Sequence, residues 1–325
     1  MRARQAFIET TGGPEVIRWR DVDLGAPGPG QVLVRQEAVG LNFIDVYHRS
    51  GVYPVDLPAP LGSEGAGVVE AVGSGTEGFA VGDCVATIGP RRGAYASARI
   101  VPADELFKLP DAIDTRTAAV AILKGLTAEM LAERVAPVAA GEWALVHAAA
   151  GGVGQILLQW LKARGVRVIA TAGSDEKLEL VRRLGADAAI PADAADLGDQ
   201  ARALTGGEGA RASYDGVGKV TWQHSLRATG RRGIIASFGN ASGPVTGVSL
   251  GSLAQAGSLF VSRPTLFDYY RDPADRTAGA DKLWNMIAGG KVKVAIGQTY
   301  PLEQAAQAHR DLEARMTSGS TLLLP

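Results

Sequence analysis

The stretch Ala148-Ala149-Ala150-Gly151-Gly152-Val153-Gly154 constrains this chain more than any other. It follows an apolar run, Trp143-Ala144-Leu145-Val146-His147, and opens Gln155-Ile156-Leu157-Leu158-Gln159-Trp160-Leu161, which reads as a helix. A strand, a turn of small residues and a helix in that order leave free backbone N–H groups and a positive dipole end at the helix start. Small side chains there let a pyrophosphate come close to the backbone. Gly151, Gly152, Val153 and Gly154 are the expected contacts. Ala149 replaces the first glycine of the G-x-G-x-x-G pattern, so taken alone the motif also fits a tight turn with no ligand.

The next unit supports the ligand. Val166–Thr171 reads as a strand and Ser174–Leu184 as a helix with Gly185 behind it; further strands fit at Ala188–Ile190, Ala212–Val217, Gly233–Phe238 and Leu259–Ser262. Repeated strand–helix units predict an α/β, doubly wound parallel sheet. About twenty residues past such a turn, a carboxylate commonly bonds the ribose 2′-hydroxyl of NAD. Here the second strand is followed by Gly173, Ser174 and Lys177. A hydroxyl and an ammonium attract a 2′-phosphate, and a cation in the first turn of a helix is poorly placed unless an anion offsets it. The reading is NADPH; the competing one has Asp175 or Glu176 accept from a 2′-hydroxyl while Lys177 is solvated.

The first ~110 residues read as mostly antiparallel β. Strands are expected at Gln31–Val39, Gly65–Val72, Val81–Val85 and Tyr95–Val101, and one short helix at Asn42–Ser50, with Asn42 as N-cap, Asp45 three residues on and Gly51 as the stop. The last ~60 residues are mixed: a helix near Ala274–Ala288, a strand near Gly297–Tyr300, a helix at Leu302–Arg315 and an apolar Leu322–Leu324 end.

Composition narrows the class. Lys plus Arg number 33 against 34 for Asp plus Glu, which argues against a dedicated nucleic-acid binder. A single cysteine, Cys84, allows no internal disulfide and no multi-cysteine zinc site. The chain has no 18-residue apolar run, and Met1–Glu9 lacks the apolar core of a signal peptide. A cytoplasmic protein that avoids membranes is expected.

Taken together, Gly12-Gly13-Pro14-Glu15-Val16, Asn42-Phe43-Ile44-Asp45, Arg49-Ser50-Gly51, Leu123-Lys124-Gly125-Leu126-Thr127, His147 to Gly154, Tyr214-Asp215 with Val217-Gly218, and Ser237-Phe238-Gly239-Asn240 carry a resemblance over essentially the whole length. The chain closely resembles the zinc-independent quinone oxidoreductases, the ζ-crystallin-like group of the medium-chain dehydrogenase/reductase superfamily. The resemblance implies a GroES-like catalytic domain built from residues 1–124 and 265–325, a Rossmann domain at 125–264, NADPH in the cleft, and a homodimer through sheet edges near Leu259–Ser262. It also implies that Asn42 and Asp45 lie near the nicotinamide and that Lys124 and Thr127 lie at the domain junction near the cofactor. Gly152 and Val153 would face the pyrophosphate, and Gly173, Ser174 and Lys177 the adenosine phosphate. Phe238, Gly239, Asn240, Arg263 and Pro264 would flank the nicotinamide-ribose end. Two positions depart from relatives that carry tyrosine there: Ala192 and Met130.

Zinc-dependent members use cysteine and histidine ligands where this chain reads Leu41-Asn42-Phe43 and Gly62-Ser63-Glu64. Ser63 replaces the histidine, and His48, His147, His224 and His309 have no ligand spacing, so no metal is expected. Hydride chemistry then belongs to the cofactor, and the protein supplies position and electrostatics. A quinone accepts electrons without a Lewis acid; hydrogen-bond donors near its growing oxyanion help. Asn42 and Tyr47, beside Asp45, are the catalytic candidates, and Tyr53 and Glu64 are the pocket candidates. Capping, core packing or a structural carboxylate would explain the same residues without chemistry. The expected activity is NADPH-dependent quinone reduction. The nearest rival is reduction of activated C=C bonds in enones or alkenals, which must protonate carbon and gives Tyr47 more to do. A rival of another class is an NADPH-binding structural or RNA-binding, crystallin-like protein. The near-neutral charge weakens its RNA role, since Arg91-Arg92, Arg182-Arg183 and Arg231-Arg232 are isolated pairs.

Overall fold

The computed structural model describes residues 1–325. The chain divides into two compact units: Met1–Leu123 with Arg276–Trp284 and Val294–Pro325, and Lys124–Asp275 with Asn285–Lys293.

The second unit holds a six-stranded sheet in the order Ala188–Pro191, Arg167–Ala172, Trp143–Val146, Ala210–Asp215, Thr229–Ser237, Phe260–Ser262. Every pairing is parallel. Counted along the chain, the order is 3-2-1-4-5-6, the doubly wound order in which the direction of winding reverses between the first and fourth strands. Inner strands of such sheets are covered on both faces, so they are mostly apolar. Leu145, Ile169, Ile190, Leu197, Ala201 and Ala210 accordingly form one buried cluster.

The first unit holds an antiparallel-rich sheet. Its order is Ile296–Pro301, Ser320–Leu324, Gln31–Leu41, Glu64–Val72, Cys84–Ile88, Leu106–Lys108, with Ala98–Pro102 also paired to Gln31–Leu41. The apolar chain end is thus a strand: Thr321, Leu322 and Leu323 pair antiparallel with Leu41, Gly40 and Val39. A smaller sheet joins Arg2–Ile8 to Arg18–Asp23 and Ala59–Pro60. Ile8, Leu41, Leu61, Tyr95, Leu302 and Leu323 share the core beneath.

Several boundaries differ from the sequence reading. The strand expected from Val81 starts at Cys84, because Gly82 takes φ +94° and its N–H turns back to the Val69 carbonyl at 2.9 Å. The strand expected from Tyr95 starts at Ala98, with Tyr95 itself turned into the core. The strand expected over Trp143–Ala149 stops at Val146, and Ala148 adopts φ +49° in the turn behind it. The helix expected over Leu302–Arg315 splits into a 3-10 turn, Leu302–Gln304, and an α-helix, Ala305–Glu313. Met130–Val135 winds as a π-helix behind the α-helix Thr115–Glu129, which propensity does not signal.

Candidate functional site

In the Rossmann-type unit the expected cofactor residues collect just past the C-terminal ends of parallel strands. Gly151–Gly154 follow Trp143–Val146, Gly173–Lys177 follow Arg167–Ala172, Phe238–Asn240 follow Thr229–Ser237, and Arg263 and Pro264 follow Phe260–Ser262. That edge, at the reversal of strand order, is where open α/β sheets bind ligands.

The helix Gly152–Ala163 starts behind Gly151 with no side chain capping it. Gly154 is required for packing: a Cβ there would lie 2.4 Å from the Ala148 carbonyl oxygen and 2.7 Å from Ala149 Cα. The Gln155 amide ties the turn to the Ala150 carbonyl at 2.8 Å. Beneath the turn runs a buried polar chain that the sequence reading did not single out. The Ala148 N–H donates to Thr171 Oγ1 at 3.3 Å, and Thr171 Oγ1 meets His147 Nδ1 at 3.3 Å. His147 Nε2 meets Ser225 Oγ at 3.1 Å, and Ser225 donates to Asp215 at 3.0 Å. Burial pushes the His147 imidazolium pKa down, so the ring is neutral, with Nδ1 accepting and Nε2 donating. Asp215 also accepts from Val217 N and Gly218 N, each at 2.9 Å, which sets the turn after its strand. His147 and Asp215 lie inside motifs that carry the family resemblance, but no local rule marks them as linked through Ser225 across 68 residues.

Ser174 caps the helix Asp175–Arg183, its Oγ accepting from Lys177 N at 3.3 Å. Gly173 has nothing within 4 Å of where a Cβ would sit. Lys177 is half-buried, and desolvation lowers its ammonium pKa. A cation that burial penalises, in the first turn of a helix, is relieved by a bound anion. At the next strands, a Cβ on Gly239 would lie 2.3 Å from the Gly216 carbonyl, and one on Gly216 would lie 2.8 Å from the Phe238 ring. Arg263 Nη1 donates to the Ser237 carbonyl at 2.8 Å. In the amide orientation that satisfies its neighbours, Asn240 donates to the Gly239 carbonyl and accepts from Arg263. Lys124 and Thr127 lie elsewhere in this unit, buried on the helix Thr115–Glu129. Met130 is buried at the start of the π-helix. These features fit a dinucleotide: an uncapped small-residue turn, an open Gly173 and a half-buried cation beyond the second strand.

In the other unit, helix Phe43–Ser50 starts at Asn42 and stops at Gly51, which takes φ +83°. Asp45 is fully buried and accepts from three donors: Asn42 N at 3.0 Å, Ser63 Oγ at 2.6 Å and Tyr95 Oη at 3.2 Å. Behind Tyr95 stands His309 Nε2 at 3.1 Å, and Arg49 Nη1 donates to His309 Nδ1 at 3.2 Å. Burial and then the Arg49 charge hold the His309 pKa down to about 3, so the ring is neutral. Burial and the Asp45 charge raise the Tyr95 phenol well above its ordinary value, so it stays a donor. Arg49 ends the chain in a two-bond ion pair with Glu313, both at 2.8 Å.

Asn42 donates its side-chain amide to Glu64 at 2.8 Å, and Glu64 accepts from Leu123 N at 2.8 Å. Gly40 makes room, since a Cβ there would lie 2.3 Å from the Glu64 carboxylate. Asn42, Asp45 and Glu64 therefore meet in one buried network, whereas Tyr47 and Tyr53 belong to a neighbouring aromatic group. The Tyr47 and Tyr53 rings stand 5.1 Å apart edge to face, with Phe43 6.1 Å from Tyr47 and His48 6.0 Å from Tyr53. Tyr47 is buried and Tyr53 half-exposed.

Comparison with known proteins follows the same division. The family description "Alcohol dehydrogenase GroES-like domain" matches residues 28–111, and "Zinc-binding dehydrogenase" matches residues 152–271. The donor set does not fit a zinc ion: no three His, Cys, Asp or Glu side chains converge, and Glu64 and Asp45 are engaged by amide and hydroxyl donors. The chain is 49% identical to a quinone oxidoreductase of Pseudomonas aeruginosa over 99% of its own length and all of that protein. It is 40% identical to a 2-haloacrylate reductase of Burkholderia, covering 98% of each. Among solved structures, Escherichia coli quinone oxidoreductase complexed with NADPH superposes with a TM-score of 0.96 at 42% identity, over 99% of this chain and 100% of that one.

Proposed function

This chain belongs to the quinone oxidoreductases of the medium-chain dehydrogenase/reductase superfamily, and from that membership we propose that it is an NADPH-dependent, zinc-independent quinone reductase. The observation that carries the reading is the row of turns past the 3-2-1-4-5-6 strands, with Gly173 and Ser174 directly behind the second strand and the half-buried Lys177 in the first turn of the helix that follows, beside Asp175 and Glu176. Gly151–Gly154 hold the pyrophosphate, Gly173, Ser174 and Lys177 the 2′-phosphate, and Phe238–Asn240 with Arg263 and Pro264 the nicotinamide-ribose end. Lys124 and Thr127 complete the cofactor's surroundings. When bound, NADPH supplies the hydride.

On the substrate side, Tyr47 donates to the oxygen that gains charge, Tyr53 forms the wall, and Asn42 is held in one amide orientation by Glu64. Asp45, with three donors on it and no exposed surface, is a positioning group. Glu64 is likewise a positioning carboxylate in this proposal. Reduction of activated C=C bonds is the second reading, favoured by the 2-haloacrylate reductase relative. The two separate on Tyr47→Phe. Protonating carbon needs a general acid, so turnover of an alkenal should fall about 100-fold while that of a quinone falls only a few-fold. A purified chain that oxidises NADPH with no member of a quinone panel would sink the main reading.

The assembly we propose is a homodimer through the edge strand Phe260–Ser262, where Phe260 is 61% and Val261 41% exposed. Sedimentation should give twice the chain mass for the parent and the monomer mass for Phe260→Arg; a monomeric parent would end this proposal. The setting we propose is cytoplasmic, in keeping with a chain whose one cysteine allows no internal disulfide, and fractionation of expressing cells reads it.

A further inference from the structure

Four buried side-chain atoms in the chain lack any hydrogen-bond partner, and two of them are His48 Nδ1 and Arg92 Nε, on side chains near enough for the Arg92 charge to act on the His48 ring. This corner adjoins the aromatic group: His48 stacks edge-on to Tyr53 at 6.0 Å, and Tyr53 packs on Tyr47 at 5.1 Å. His48, Tyr53 and Arg92 are each half-exposed, so other parts of these side chains meet solvent while the two unpartnered atoms themselves are buried. The two arginines of the loop differ. Arg91 is committed to Glu105 at 2.5 Å, while Arg92 forms no ion pair. Burial and the Arg92 charge hold the His48 pKa down to about 4, so the imidazole is neutral at neutral pH and does not share the corner's charge. What remains is one uncompensated guanidinium beside a neutral ring and a tyrosine wall. A half-buried cation with an unmade hydrogen bond is relieved by an anion, and a planar guanidinium suits the oxygens of a carboxylate or sulfonate.

We propose that Arg92, with His48, forms an anion subsite that selects flat electrophiles carrying a carboxylate or sulfonate, with the ring of the acceptor against Tyr53 and Tyr47. This deepens the reductase reading above and rests on its placement of Tyr47 and Tyr53 at the substrate. Arg92 acts here as a specificity residue for the substituent of the acceptor.

The test compares 1,4-naphthoquinone with 1,4-naphthoquinone-2-sulfonate under saturating NADPH. The parent should favour the sulfonate by about tenfold in kcat/KM, expressed in KM, as expected for one charge-assisted contact. Arg92→Met should collapse the sulfonate-to-neutral ratio to near one, and Arg92→Lys should recover part of it. The preference should shrink at high salt. A ratio unchanged in Arg92→Met, or a parent with no preference, overturns the proposal. Calorimetric titration with naphthalene-2-sulfonate, which cannot be reduced, reads the subsite without turnover. If neither quinone is reduced but this ligand binds the parent and not Arg92→Met, the reductase reading fails and the subsite stands. If the ligand binds both alike, the subsite fails.

Discussion

Exchanging Lys177 for glutamate is expected to lower kcat/KM for NADPH relative to NADH by about 100-fold, through loss of a charge-assisted contact and gain of a repulsive one. The expectation rests on position. Lys177 lies in the first turn of the helix Asp175–Arg183, at the end of the second parallel strand, where the helix dipole and burial both penalise its charge. The dipole and the burial both favour an anionic ligand beside this ammonium. Ser174 accepts a backbone N–H as N-cap, and its own hydroxyl proton remains available to a phosphate oxygen. Gly173 leaves open space beside both. Lys177→Met should lose part of the preference and Lys177→Glu most of it. Measuring kcat/KM with both coenzymes checks the order. An unchanged ratio in Lys177→Glu, together with lost NADH turnover in Asp175→Ala or Glu176→Ala, would mean that a carboxylate holds a 2′-hydroxyl instead.

How much of this was legible in the sequence depended on the range of the interactions involved. The parallel sheet was readable because each strand–helix junction carries its own local sign: small residues at Ala148–Gly154, a serine cap at Ser174, and Gly185 behind the helix. Helix Phe43–Ser50 was readable for the same reason, since Asn42, Asp45 and Gly51 act within a few residues. Glycine and aspartate at Val81–Asp83 suited a turn better than a strand, yet the apolar Val81 and Val85 pulled the expected boundary forward. The buried networks left no such sign. His147 pairs with Ser225, and Tyr95 with His309, across long stretches of chain, so each histidine looked scattered. The motifs mark where a cofactor is expected to go. They could not show that neutral imidazoles hold the turns in place.

The sharpest consequence of those networks concerns Asp45. Asp45→Ala should destabilise the chain by about 3–5 kcal/mol, because it strands several buried donors at once. The Asn42 N–H, the Ser63 hydroxyl and the Tyr95 hydroxyl all end on this carboxylate, and all three residues are buried. The effect propagates with a fixed direction. Arg49 occupies Nδ1 of His309, so Nε2 carries the proton towards Tyr95, and Tyr95 can give its own proton only to Asp45. Asp45→Asn keeps one acceptor oxygen and should cost about 1–2 kcal/mol, with the amide facing a donor it cannot satisfy. Urea unfolding midpoints for the parent and both variants measure the two losses, and an Asp45→Ala loss below about 1 kcal/mol would contradict the network. Quinone turnover supplies a second reading. Asn42 keeps its amide on Glu64 in either variant, so Asp45→Asn should retain most of its kcat if Asp45 only positions the helix that carries Tyr47. A collapse of kcat in Asp45→Asn without a matching loss of stability would instead place the carboxylate in the chemistry.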